Sequence, residues 1–260
     1  MDLYYTFAGF FVGLLVGLTG IGGGALMTPI LIVVFKVPLI TAVSTDLLYA
    51  AITKSAGAIN YCRQQQVRYK IVALLLAGSL PGSWFTLNYL SSLQGLEQLE
   101  SVVNTVLGSA LILTSIAVFM RSRICSFAER HADSAGSAKL VKFRPVITVV
   151  CGALLGVLVT LSSVGAGALG TAILIICYPK MRMSEIVGTD LLHAVILTAV
   201  AGAGHYTLGS VDLSLLGYLI LGSLPGVLIG SHFGAKLSST VMQPIIASLL
   251  LVIGGHFITS

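Results

Sequence analysis

The chain is written twice. Thr45-Asp46-Leu47-Leu48 recurs as Thr189-Asp190-Leu191-Leu192, and Gly78-Ser79-Leu80-Pro81-Gly82 recurs as Gly222-Ser223-Leu224-Pro225-Gly226, each 144 positions on. A third pair, Gly22-Gly23-Gly24-Ala25-Leu26 and Gly165-Ala166-Gly167-Ala168-Leu169, is offset by 143. Three matches in one order at a nearly constant offset mark an internal duplication. In a chain this apolar, such a duplication points to two copies of one topology with a site at the interface between them, which restricts the architectures open to it.

The second constraint is where such a chain can live. Of its 260 residues 56% are hydrophobic and only 9% charged, with a mean hydropathy of +1.01. A soluble domain carries about 25% charged residues, so most of this surface is expected to face lipid. Several apolar runs reach the roughly 20 residues needed to span a bilayer. The expected class is an all-α polytopic membrane protein, since a transmembrane barrel would show short alternating segments instead. The net charge of +5 gathers in a few loops and is read as membrane topology rather than nucleic-acid binding. Met1-Asp2 offers no basic n-region, so the first apolar stretch is read as retained.

Full spans are predicted at 42–62, 70–91, 100–120, 186–206, 213–234 and 241–258. The stretches 4–36 and 145–178 are apolar, broken by glycine at the centre, too long for one span and too short for two. Each is predicted to be a pair of half-helices meeting inside the membrane, a break that survives only where it lines a protein cavity. The charges agree. Arg63, Arg68 and Lys70, the cluster from Arg121 to Arg144, and Lys180 with Arg182 all fall on one side only if 145–178 enters and leaves on that side. The loops holding Glu97 and Asp212 then fall on the other side, and Lys36 is the one residue that fits poorly. Three crossings plus a re-entrant hairpin per copy make the repeats inverted. Repeat 1 covers 1–120, a basic cytoplasmic linker 121–144, and repeat 2 145–260, with both termini outside the cytoplasm. The linker has no apolar periodicity and is read as a mobile loop, with a helix as the alternative.

Candidate chemistry sits at the duplicated features. Thr19, Gly22, Gly23 and Gly24 in one tip, and Ser162, Ser163, Gly165 and Gly167 in the other, place hydroxyls and free N–H groups where half-helices begin. That is an anion-binding arrangement, although small residues also serve close helix packing. Asp46 and Asp190 read equally as helix N-caps or as proton carriers, and His193 stands one turn after Asp190. Lys54 lies mid-span, and its counterpart in the second copy is Thr198. It is read as an anion contact or gate, against an ion pair or a snorkelling residue. His205 is read as an interfacial polar residue, and Pro81 and Pro225 as shapers of the cavity. The chain has no His-x3-His spacing, nucleophile elbow or Walker loop, and its four cysteines form no Cys-x-x-Cys pair. Neither an enzyme nor a cofactor or metal is expected.

Gly17-Leu18-Thr19-Gly20-Ile21-Gly22-Gly23-Gly24 followed by Thr28-Pro29 resembles the hallmark of the TauE/SafE family, also called the sulfite exporter or TSUP family. The Thr-Asp-Leu-Leu repeats, Thr53-Lys54-Ser55-Ala56-Gly57-Ala58 and Gly204-His205-Tyr206-Thr207-Leu208-Gly209-Ser210-Val211-Asp212 resemble a bacterial branch of it. The resemblance covers nearly the whole chain. It implies a transporter in the bacterial inner membrane for sulfur-containing anions such as sulfite, sulfoacetate or other organosulfonates. The resulting expectation is a secondary transporter that exports a small sulfur-containing anion. Its substrate would be held between the tips with Lys54 supplying charge. Asp46, Asp190 or His193 would couple protons, and one half would rock against the other. A passive anion channel on the same scaffold is the alternative, and a membrane enzyme or assembly factor a distant third. The expected partners are the small anion and the lipid bilayer, not nucleic acid, with a homodimer left open.

Overall fold

A computed structural model describes residues 2–19, 24–92, 96–131, 135–234 and 239–259. Every regular element among them is a helix: α1 (Asp2–Thr19), α2 (Gly24–Val33), α3 (Leu39–Arg63), α4 (Tyr69–Ser92), α5 (Leu96–Phe119), α6 (Arg121–His131), α7 (Ala135–Ser162), α8 (Ala168–Cys177), α9 (Met183–Thr207), α10 (Leu213–Gly234) and α11 (Ser239–Thr259). The order α1–α5 is repeated as α7–α11. Only α6 has no counterpart in the first copy.

The four most extensive helix–helix interfaces join α1 to α10, α4 to α7, α5 to α11 and α3 to α9, so each pairs one copy with the other. The duplicated Gly-Ser-Leu-Pro-Gly motifs explain two of them. A Cβ added at Gly78 would collide with the Val149 carbonyl, and one at Gly222 with the Thr6 carbonyl. Gly82 and Gly13 lie almost as close, a Cβ there falling 2.6 Å from the Ala153 oxygen and 2.5 Å from the Ser223 oxygen. Backbone therefore rests on backbone, the close approach that small residues allow between membrane helices. Pro81 and Pro225 sit inside α4 and α10 beside these glycines.

The directions of the helices follow from which residues meet. Gly13 packs on Ser223 and Gly226 on Phe10, so α1 and α10 run parallel. Ser44 meets His205 and Gly57 meets Leu191, so α3 and α9 run antiparallel. Gly108 meets Gly254 and Ser115 donates to the Ala247 carbonyl, so α5 and α11 are antiparallel as well. Equivalent contacts come in pairs. The Arg68 N–H donates to Thr189 Oγ1 at 3.0 Å, and the Asp212 N–H donates to Thr45 Oγ1 at 3.2 Å. Both members of the second bond lie 144 positions from members of the first, so the duplicated sequence makes duplicated contacts.

Each Gly-rich stretch folds back on itself. The Tyr5 and Phe35 rings pack at 5.1 Å between centroids, closing α1–α2 at its open end. Thr148 Oγ1 lies 2.9 Å from the Tyr178 hydroxyl, closing α7–α8 at the equivalent place. The limbs are unequal, which half-helix pairs did not anticipate. The returning limbs α2 and α8 have 10 residues each, but α1 has 18, and the apolar part of α7, Phe143–Ser162, has 20 and is itself long enough to cross a bilayer. The longer limbs are the ones held along their length by α10 and α4.

Among the described residues, five helices are long and apolar enough to cross a membrane: Tyr69–Ser92, Glu100–Phe119, Phe143–Ser162, Met183–Thr207 and Leu213–Gly230. The 25-residue α3 is not among them, because it carries Ser44, Asp46 and Lys54 on a buried face in the centre of the bundle. The linker differs from the expected loop. Residues 121–131 form α6, which packs Ile124 and Ala128 against Leu174, Ile175 and Ile186. Apolar residues at positions 124 and 128 share one helical face, a spacing too short to stand out among the surrounding arginines.

The charges separate toward the two ends of the bundle. Arg68 and Arg182 both pair with Glu185, at 2.8 and 3.3 Å, and Arg144 stacks over the Tyr178 ring. At the opposite end lie Asp212 and Glu100, and Lys36 shares a cavity wall with Glu100. A side chain at Gly222 has no room, whereas nothing lies within 4 Å of a Cβ at Gly217 in the same helix. Gly222→Leu is therefore expected to abolish the monodisperse folded peak in detergent size-exclusion chromatography, and Gly217→Ala to leave it unchanged.

Candidate functional site

Two carboxyl groups and a lysine are buried at the centre, Asp46 at 0%, Asp190 at 2% and Lys54 at 5% relative exposure. Asp46 lies seven residues into α3 and Asp190 seven into α9, whose N-caps are Pro38 and Arg182. Neither is a helix cap, and that reading is set aside. Both instead fasten a short returning limb. Thr28 of α2 donates to Asp46 Oδ2 at 2.5 Å, and Thr171 of α8 donates to Asp190 Oδ2 at 2.8 Å. In each carboxyl group the other oxygen, Oδ1, has no hydrogen-bond partner. Two buried carboxyl groups held by one oxygen each, in symmetry-equivalent places, leave two unsatisfied acceptor positions in the centre of the fold, which is costly.

Lys54 breaks the symmetry. Its Nζ donates to the Ala166 carbonyl at 2.7 Å, reaching from α3 into the tip between α7 and α8. The tip has the backbone that glycine permits, with positive φ at Gly165 (100°) and Gly167 (131°), and at Ser163 (58°). Ser163 is buried and its Oγ lacks a partner, whereas Ser162 Oγ is occupied by the Leu158 carbonyl and the Val164 N–H. Of the second tip's candidates, Ser163 lies beside Asp46 of α3, Gly165 and Gly167 form the turn and start α8, and Ser162 serves the turn. In the first tip Gly22 and Gly23 lie outside the described residues, as does the side chain of Thr19, and Gly24 opens α2.

His193 does not share a hydrogen bond with Asp190. Its Nε2 lies 3.0 Å from Ser79 Oγ and its Nδ1 has no partner. His205 is buried rather than interfacial, at 3% exposure. Its Nε2 meets the Thr160 carbonyl at 3.0 Å and its Nδ1 meets Ser44 Oγ at 2.9 Å, tying α9 to α7 and α3. A carbonyl only accepts, so Nε2 donates, and in the neutral ring Nδ1 accepts from Ser44. Thr160 also donates its hydroxyl to Ser83 at 2.7 Å.

The cavities on either side are unequal. Toward the acidic end lies one of about 480 Å³ whose wall includes His205, Thr41, Ser91, Leu161 and Glu100. Toward the basic end lies one of about 40 Å³ whose wall includes Arg121, Gly167, Ala168, Thr171 and Asp190. Among the described residues, no three His, Cys, Asp or Glu side chains assemble into a metal-binding group.

The family described as Sulfite exporter TauE/SafE matches residues 5–257, both tips and both aspartates included. The chain belongs to that family. Similar proteins carry names of the same kind. A "Probable membrane transporter protein YjnA" of Bacillus subtilis (strain 168) is 39% identical over 256 residues, covering 98% of both chains. "Probable membrane transporter protein YdhB" of the same organism is 25% identical over 249 residues, covering 94% of this chain and 97% of its own. No solved structure matches the chain. The chain is thus a multi-pass helical membrane protein of a transporter family.

Sequence reasoning missed Thr28 and Thr171, which orient the carboxyl groups, although they too are 143 positions apart. It also missed the Ala166 carbonyl, which no residue-type pattern can reveal, and the place of Arg121 on the cavity wall. Replacing Thr171 by Val leaves both oxygens of Asp190 unbonded. The expected loss is about 1–3 kcal/mol of stability, with Thr171→Ser close to wild type, as read by thermal unfolding in detergent.

Proposed function

We propose that the protein is a secondary transporter that exports a small sulfur-containing anion, sulfite or an organosulfonate, across the bacterial inner membrane. The reading rests on one observation above the rest: a buried, unduplicated lysine whose ammonium ends on a tip carbonyl, beside residues with unsatisfied polar atoms. An ammonium is expensive to bury without a counter-charge. A bound oxyanion beside Lys54, Ser163 and the glycine backbone at 165–167 would supply one. Asp46 and Asp190 carry coupled protons in this reading, and His193 relays them through its free Nδ1.

The topology that goes with it is two inverted repeats, 1–120 and 145–260, joined by a basic cytoplasmic segment, 121–144. The basic end faces the cytoplasm and both termini face away from it. Antiparallel packing of α3 with α9 and of α5 with α11 supports that arrangement. The interlocking of the copies argues against one half rocking on the other. The moving bodies we favour are α1, α2, α3 and α10 against α4, α7, α8 and α9, which meet along the α3–α9 contact. Unequal cavities at the two ends, about 480 and 40 Å³, favour a carrier reached from one end at a time over a passive channel.

Reconstituted protein is expected to take up radiolabelled sulfite or sulfoacetate with saturating kinetics. Lys54→Gln should lower the rate at least tenfold while the protein still elutes as a folded species. Flux that rises linearly with concentration would make it a channel, and unchanged flux in Lys54→Gln would remove Lys54 from the anion site.

A further inference from the structure

The cavity at the basic end combines an exposed-side cation with a buried acid. Arg121, the first residue of α6, shares its wall with Asp190, Thr171 and the start of α8 at Gly167 and Ala168. Among the described residues the helix that carries Arg121 has no counterpart in the first copy, and this arginine shares a cavity wall with the second carboxyl group. Packing of Ile124 and Ala128 on α8 holds that arginine in place. Asp190 is 2% exposed, and Gly170 leaves no room for a Cβ against its Oδ1. Thr171 occupies Oδ2, and Oδ1 has no partner. The charges whose fields reach Asp190 are Lys54 on α3 and Arg121 on α6, the latter with its guanidinium donating to Met183 Sδ at 3.8 Å, and His193 stands one turn along its own helix.

We infer that Arg121 and Asp190 form a proton-linked capture site at the basic end, which takes an oxyanion and one proton together. This rests on the anion-transport reading above. With the site empty, the carboxylate lies in the positive field of Arg121 and Lys54 without forming an ion pair with either. An arriving sulfonate or sulfite oxygen settles beside the guanidinium, which suits oxyanions through its planar set of donors. The carboxylate, that field now offset by the anion, takes one proton from the solution at the basic end onto Oδ1. Oδ1–H then donates to the bound oxyanion, while Oδ2 keeps the bond from Thr171. No covalent bond to the substrate forms, and the charge change in the site is that of anion plus proton. The cavity is small, about 40 Å³, so any larger part of the substrate must extend past Arg121 toward the solution.

Methanesulfonate and sulfoacetate stay ionised near neutral pH, so proton uptake on their binding reports the protein and not the ligand. Isothermal titration of purified protein with these two anions and with sulfite, in buffers of different ionisation heat, counts the protons bound per anion. Wild type is expected to take up close to one proton with a sulfonate and to bind it more weakly as pH rises. Asp190→Asn, whose amide can still donate, should bind with little dependence on pH and no proton uptake. Arg121→Gln should weaken binding about tenfold and Arg121→Lys less, while Arg130→Gln, on the same helix but away from this cavity, should have no effect. Proton uptake near zero in wild type, or unaltered uptake in Asp190→Asn, overturns the inference and leaves anion binding standing. So does unaltered affinity in Arg121→Gln. If Asp190→Asn does not fold, the wild-type proton count and Arg121→Gln decide it. If none of the three anions binds wild type, the anion-transport reading falls and this inference falls with it.

Discussion

Everything else in this fold hangs on the contact of backbone with backbone where the Gly-Ser-Leu-Pro-Gly motifs meet the long limbs of the hairpins. With no hydrophobic drive between helices in lipid, association depends on close van der Waals fit. Gly78 and Gly222 provide it at symmetry-equivalent places, against α7 and α1. Because each motif grips the hairpin of the opposite copy, the two copies interlock rather than sit side by side. The α3–α9 pair is then forced into the middle, and with it Asp46, Asp190 and Lys54.

That central placement turns symmetry into chemistry. The Thr28–Asp46 and Thr171–Asp190 bonds are copies of each other, so the duplicated parts hold the short limbs against the central helices. Function enters where the copies differ. Lys54 faces the second tip and has Thr198 as its echo, and Thr198 merely bonds the Ala194 carbonyl of its own helix. Helix α6 covers α8 and has no equivalent over α2. A symmetric scaffold carries asymmetric charges, and the cavities at its two ends differ accordingly.

The all-α membrane class and the breaks at the two Gly-rich stretches were legible in the sequence, because apolar runs and glycines report directly on membrane and backbone. The folded-back hairpins, closed by Tyr5 with Phe35 and by Thr148 with Tyr178, follow from the same breaks that the sequence displays. Other features were hidden. Asp46 looked like a cap because the start of α3 lies at Leu39, earlier than hydropathy alone suggests. His205 looked interfacial because only the fold brings Ser44 and the Thr160 carbonyl to its two nitrogens. Helix α6 was masked by its arginines, which conceal the two apolar positions that dock it on α8.

The account stands on the hairpins returning to the side from which they start, since this alone makes the copies inverted. Single cysteines placed at Gln64, Lys180 and Thr207 in a cysteine-free background, probed in intact and permeabilised cells with a membrane-impermeant maleimide, test this directly. The account predicts that Thr207→Cys reacts in intact cells, and that Gln64→Cys and Lys180→Cys both react only after permeabilisation. Reaction of Gln64→Cys and Lys180→Cys from opposite sides would contradict it, because the second Gly-rich stretch would then cross the membrane once.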